Sequence, residues 1–382
     1  MFDPSIPSKV GIKGTVPMAA SVHGGATIQQ TRPRGRIVGK DHPVQGYGGL
    51  TALPEGRTLV GYQGPLVGSP FGLQIRAGPE LALVAQLPEA ADPFSLSGNQ
   101  LLASGPLFGG YQSSVCVVDL AAMAVLDTLP LCEPYLWLDG SGVIAQTPAF
   151  PDFMAGPLTD PTLIDRHPKL RRWVKQRPRR LLHVRADGKI SHCLDAAEVA
   201  PEDPRFRHLA LAPDGAMLFA STYCSVAAVS LADWTVRWRR RLGDPSGPQF
   251  LAIYATALSP DGRHLAVGGL AGYGNSDHAL VILDATNGQP LTAADAVGPA
   301  IGSTSFRSLA WHDTEWLAAG TSSGLVAHLD LHGRLRTYKG AGRAVESLLF
   351  IDGGRSLLLC GNERHSRIWP LLDDESSTVR GR

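Results

Sequence analysis

The chain lacks any bias of charge: 35 Lys and Arg stand against 34 Asp and Glu in 382 residues, so no overall field draws it toward nucleic acid or anionic lipid. Long apolar runs are missing too. Nothing approaches the roughly 18–20 uncharged apolar residues of a membrane helix, and the opening MFDPSIPSKVGIKG has no apolar signal segment. A soluble, cytoplasmic protein with no membrane partner is expected. Cysteine is scarce, and Cys116, Cys132, Cys193, Cys224 and Cys360 are widely spaced with no CxxC pair. That pattern argues against a disulfide framework, a metal knuckle or a redox couple, and for reduced, mostly buried small residues.

Signatures of common enzymes are absent as well: GxSxG, HExxH, GxxxxGK and GxGxxG do not occur. The twelve His are dispersed, and the closest pairs, His328 with His332 and His183 with His192, make no ligand set on the expected strands. The expectation is therefore no enzyme, with no catalytic residue, metal or cofactor.

What is present is punctuation and repetition. The 43 Gly and 29 Pro are scattered among short apolar runs, which marks many short elements rather than a linker. FRHLALAPDGAMLFASTYCSVAAVSL from Phe206, IYATALSPDGRHLAVGG from Ile253 with HALVILD from His278, SLAWHDTEWLAAGTSSGLVAHLDL from Ser308 and SLLFIDGGRSLLLCGNERHSRIWPL from Ser347 share one order of parts. Each is an apolar strand, a Pro-Asp-Gly-like turn, a second strand ending in small residues, a loop and a third apolar strand. Pro presets φ, and Asp-Gly tolerates the left-handed conformations of tight hairpins. Weaker copies lie upstream in LTALPEGRTLVGY, FSLSGNQLLASG and LWLDGSGVIAQT. Turns near 55, 98, 140, 214, 261, 313 and 352 recur every 39 to 52 residues, except that roughly 30 extra residues fall between 140 and 214. Seven units of this length predict an all-β fold, a seven-bladed β-propeller of four-stranded antiparallel blades.

On these residues the chain resembles the WD-repeat propeller family over about residues 35 to 372. LAAGTSSGLVAHLD, Leu317 to Asp330, is the best local match, and Asp119, Asp284 and Asp330 stand where the family's Asp ends the third strand. Only Trp369 occupies the Trp place, and the opening Gly-His pair is absent. The chain therefore looks like a divergent member, or like the related quinoprotein-like and lactonase-like propellers. GRIVGK (35–40) is expected to supply the outer strand of the last blade and close the ring. Residues 1–34 are then an N-terminal extension, 35–372 the propeller with a partly helical insertion at 150–180 in blade 3, and 373–382 a tail.

The resemblance implies that the loops between second and third strands share a partner-binding face. Exposed aromatics on those loops, Tyr62, Phe71, Phe108, Tyr111, Phe150, Phe153 and Tyr273, are expected to form an anchoring rim. The longest loop carries KLRRWVKQRPRR (169–180), seven basic residues in twelve positions. Leu170, Trp173 and Val174 fall at helical spacing and would pin this insertion to the ring. Three readings of the basic set stand: a solvated face paired with Asp152, Asp160 and Asp165, a grip on an acidic protein partner, or a contact to nucleic acid. The candidate partner-binding residues are Arg171, Arg172, Trp173, Lys175, Arg179 and Arg180, with Phe108, Tyr111, Phe150 and Tyr273 as the rim. A second basic stretch, WTVRWRRRLG (234–243), reads as an outer strand whose charge blocks edge pairing. The expected function is a protein-binding scaffold, adaptor or inhibitor, monomeric or within a hetero-complex, with an immunity or antitoxin protein as a specialised form. A lactonase-like hydrolase centred on the channel and a nucleic-acid adaptor are the alternatives.

Overall fold

The computed structural model describes residues 29–30, 36–38, 49–63, 71–105, 107–108, 111–112, 114–138, 142–148, 161–174, 179–201, 205–242, 252–270, 280–291, 305–332, 334–339, 344–361 and 366–371. Each Pro-Asp-Gly-like turn joins two antiparallel strands, as the repeat predicts. Glycines supply the left-handed conformations those turns require, with φ of 70° at Gly215 and 73° at Gly262. Seven sheets of four antiparallel strands make the blades, and one further short strand joins the sheet of blade 6. Blade 1 is Leu50–Ala52, Thr58–Gln63, Phe71–Ala77 and Ala82–Leu87. Blade 2 is Ala91–Ser97, Gln100–Ser104, Val115–Asp119 and Ala124–Leu129. Blade 3 is Cys132–Leu138, Gly142–Gln146, Arg180–Arg185 and Ile190–Asp195. Blade 4 is His208–Leu211, Met217–Ser221, Ser225–Ser230 and Thr235–Arg241. Blade 5 is Ala252–Leu258, His264–Leu270, Leu280–Asp284 and Pro290–Leu291. Blade 6 is Phe306–Trp311, Trp316–Thr321, Leu325–Asp330 and Leu335–Lys339. Blade 7 is Val345–Ile351, Ser356–Gly361 and Ser366–Pro370, with Arg36–Val38 antiparallel to the last of these.

The first strand of every blade packs on the first strand of the next, including blade 7 on blade 1, so these strands surround the axis. The molecule is a seven-bladed β-propeller. Its core is divided among the seven seams between blades, each with its own apolar cluster. Second and third strands are buried on both faces, which is why SVAAVS and LVILD read as nearly continuous apolar runs. Small residues ending the second strands let the neighbouring blade come close. A Cβ on Gly320 would lie 2.7 Å from the Val345 side chain across the 6–7 seam, where the Ser308 hydroxyl also donates to the Val345 carbonyl at 2.9 Å. Trp369, the one residue at the family's Trp place, is buried in that same seam. Two other tryptophans staple blades by hydrogen bonds: Trp238 to the Ala285 carbonyl and Trp311 to the Ala257 carbonyl, at 3.0 and 2.9 Å.

Asp119, Asp284 and Asp330 end their third strands and cap the turns that follow, accepting from the N–H groups of Ala121, Thr286 and His332. At Asp284, the Thr286 hydroxyl and further bonds hold the carboxyl below the usual carboxylate range. The 234–243 stretch is the outer strand of blade 4. Val236, Trp238 and Arg240 turn inward, while Arg237, Arg239 and Arg241 face solvent. One pairing is not announced by the sequence: Gln29–Gln30, in the segment expected to lie outside the ring, runs parallel to Arg336–Thr337 on the outer strand of blade 6.

Phe306 is fully buried in the 5–6 seam. Its replacement by Ala should cost about 3–5 kcal/mol, measured by denaturant unfolding, because the cavity cannot be filled by rigid neighbouring strands. His328, packed among Trp316, His312 and Phe350, is pushed down to about 4, chiefly by burial and then by the charges of His312 and Arg336. The unfolded chain, titrating near the ordinary 6.5, binds this proton more readily than the folded one. Stability from this group is therefore complete above about pH 6.5 and is lost as pH falls toward 4, by on the order of 2–3 kcal/mol. Unfolding measured across that window should show the slope, and His328→Phe should reduce it, leaving the share of His208, which is pushed down to about 4 as well.

Candidate interaction face

Antiparallel pairing places the start of each first strand beside the end of each second strand, so the channel mouth and the second-to-third loops share one face. At that mouth the first strands depart from regular pairing. Register shifts interrupt the opening pairs of blades 2, 3, 5, 6 and 7. A bulge inserts one unpaired residue and re-aims its side chain. In blades 5, 6 and 7 the extra residue is Tyr254, Arg307 and Glu346, each following a buried apolar residue: Ile253, Phe306 and Val345. Arg207 holds the same repeat position in blade 4, after buried Phe206.

These four side chains form a belt from blade 4 to blade 7. The Arg207 guanidinium carbon lies 5.3 Å from the Tyr223 ring centre, and that of Arg307 lies 4.4 Å from the Tyr254 ring centre. Beside them, His208 is pushed down to about 4, by burial first and the Arg207 charge second, so it is neutral at physiological pH. Burial raises the Glu346 carboxyl above the usual range, opposed by Arg307. Sequence reasoning missed this belt, although its signal is visible once the repeats are aligned: FRHLAL, IYATAL, FRSLAW and VESLLF each carry a long polar or aromatic residue second.

The basic insertion lies elsewhere. It leaves the ring between Gln146 and Arg180 on the loop face, but its helical turns, Pro161–Arg166 and Arg171–Val174, run down the flank between blades 2 and 3. Leu170 and Val174 are 2% and 3% exposed in the 2–3 seam, and Trp173 packs against the same cluster. His167 contacts the Thr128 carbonyl on the outer strand of blade 2 at 3.0 Å. Lys169 reaches the Asp187 carbonyl at 2.6 Å, in a turn at the opposite end of blade 3 from the loop face. Much of the positive charge is thereby tied down. Arg171 is ion-paired with Asp165, as the self-paired reading expects, and Arg180 opens the third strand with Asp195 at 3.5 Å. Arg172 and Arg180 both stack on Trp173, at 4.8 and 5.7 Å.

The aromatic rim is only partly within view. Phe108 and Tyr111 face each other in a small hairpin, Leu107–Phe108 with Tyr111–Gln112, whose backbone alone is described. Lys175, Phe150 and Tyr273 lie outside the described residues, and Arg179 just precedes the third strand of blade 3. Tyr62 corrects the expectation of an exposed ring: it sits on the second strand of blade 1, 4% exposed, its hydroxyl accepting from Gln86 at 2.9 Å. The second strand, buried on both faces, extends through Tyr62 and carries the ring into the blade, which a loop reading does not show. His264 is half-buried, near Trp311. His183 and His192 pair across strands and stack with Trp234 in parallel planes. Among the described residues no cluster of three or more His, Cys, Asp or Glu could hold a metal, no cysteine is disulfide-bonded, and no helix is long and apolar enough to cross a membrane.

No family model matches the chain, and no curated protein matches it in sequence. Among solved structures it is similar to the β-propeller domain of Cps50 (Swd1) from Myceliophteria thermophila, with a TM-score of 0.60 and 15% identity over 88% of this chain and 100% of that one. At that identity the likeness is one of fold, and it agrees with the resemblance to divergent WD-repeat propellers.

The flank position of the insertion is testable. Val174→Asp buries a carboxylate without a partner in an apolar seam, which should detach the helical turns. Limited proteolysis should then cut within residues 161–180, where the wild-type protein resists, while denaturant unfolding of the ring stays cooperative.

Proposed function

We propose that this protein is a non-enzymatic binding scaffold, an adaptor or inhibitor, that presents its loop face to an acidic protein partner. The observation that carries this reading is the channel-mouth belt. Four residues of three chemistries, Arg207, Tyr254, Arg307 and Glu346, occupy one repeat position, and the last three stand at bulges that re-aim their side chains. Rigid seams keep such a surface preorganised, which lowers the ordering cost of binding. The insertion extends the same surface around the flank, with exposed Arg172 over Trp173 as its reach. Likeness of fold to a propeller domain supports a platform of this kind without naming its partner.

The test is co-purification of the tagged full chain from its native extract, followed by cross-linking to locate the contact. Cross-links should fall on the loop face and the insertion, and Arg172→Glu should weaken capture of an acidic partner severalfold while Arg239→Glu, on the outer strand of blade 4, leaves it unchanged. Cross-links confined to the hairpin turns at Pro54–Gly56 and Asp352–Gly354, on the opposite face, would overturn the reading.

A further inference from the structure

We propose that the channel mouth is a carboxylate receptor: Arg307, laid on the Tyr254 ring, takes an Asp or Glu side chain from an acidic peptide segment of a partner protein, with Arg207 on Tyr223 as a second cation. This rests on the scaffold reading above and gives its partner a chemistry and a point of contact.

Arg307 carries the case. Its Nε is buried and makes no hydrogen bond, and among the described residues the guanidinium has no ion-pair partner within contact distance. A cation set over a ring face is oriented without spending its N–H donors on the ring, so the fork remains available to an acceptor. A buried donor left without a partner is costly, so a ligand that completes the guanidinium's hydrogen bonding is favoured. Glu346, at the neighbouring bulge, is a poor permanent counter-ion. Its carboxyl is held above the usual range by burial, and it forms no close ion pair with Arg307.

Local charge decides the sign of the ligand. Among the described residues, Arg205, Arg207 and Arg307 stand at the starts of the first strands of blades 4 and 6, against Glu346 at that of blade 7. Neutral His208 adds nothing against them. A peptide carboxylate fits better than a nucleic-acid backbone. A phosphate chain is gripped by several cations in a track, whereas here Tyr254 separates the two stacked arginines and Glu346 follows them in the next blade.

The experiment uses the full chain and a fluorescein-labelled oligoglutamate peptide, followed by anisotropy at low salt, with an oligoglutamine peptide and an oligothymidine strand as comparisons. The glutamate peptide should bind and the glutamine peptide should not. Arg307→Gln should weaken binding about tenfold or more, the scale expected for a charge-assisted contact, with Arg307→Lys intermediate because it keeps charge but loses the fork. Glu346→Gln should tighten binding, an effect that a merely structural role for this cluster does not produce, and one that stands even if Arg307→Gln fails to fold. Absence of binding by the wild-type protein, equal binding by the Arg307 and Glu346 variants, or preference for oligothymidine lost with Arg307 overturns the proposal. If a partner cross-links to the loop face while Arg307→Gln has no effect on the peptide, this inference fails and the scaffold reading survives. If the peptide binds through Arg307 and no protein contacts the loop face, the reverse holds.

Discussion

Apolar packing between neighbouring sheets is the interaction on which everything else in this protein rests. A four-stranded blade has two apolar faces and no core of its own, so each is stable only when stacked on both sides. A row of such blades would end in two bare faces. Bending the row until blade 7 meets blade 1 removes them, and the contact is made by the same means as the other six: an apolar cluster of Leu81, Leu358 and Ile368, with the Leu50 N–H donating to the Ser347 hydroxyl at 3.2 Å. Rigidity follows from this division. No seam can loosen without disturbing its neighbours, and the loop face inherits fixed geometry from strands that have no freedom to shift.

The architecture was legible because its signals are local and repeated. A Pro-Asp-Gly turn fixes a hairpin whatever surrounds it, and seven recurrences at one spacing leave few folds to consider. Asp119, Asp284 and Asp330 were placed correctly for the same reason, since a carboxylate capping the next turn acts within a few residues. What the sequence hid depends on contacts between distant segments. Gln29–Gln30 carries no strand signature and pairs only because the outer strand of blade 6 offers it an open edge. Tyr62 was misread because the boundary between strand and loop decides which way a ring points, and one strand residue more turns it from rim to core.

The basic stretch at 169–180 shows the difference between charge clustered in sequence and charge clustered in space. Its apolar residues, Leu170 and Val174, were read correctly as anchors, yet what they anchor to could not be read. The 2–3 seam draws the helical turns down the flank, and there Asp165, Asp187 and Asp195 meet the cations that composition alone left unopposed. Positive charge at the channel mouth has the opposite history. Arg207 and Arg307 are about a hundred residues apart and look unremarkable singly, and only the circular arrangement brings them around one axis.

That contrast bears on which surface recognises a partner. On the flank, Arg171 and Arg180 are already paired, so a contact from either to a partner replaces one already made and adds little, leaving exposed Arg172 on Trp173 to reach outward. At the mouth, Arg307 is half-buried, laid on the Tyr254 ring and without a close carboxylate, and exposed Arg207 is laid on the Tyr223 ring. Charge held in place is effective where mobile charge is not, since the ordering cost was met when the blades packed. The repeat makes this arrangement adaptable. Blades 5, 6 and 7 each present one bulged position to the axis, and residues as unlike as Tyr254, Arg307 and Glu346 occupy it on the same frame.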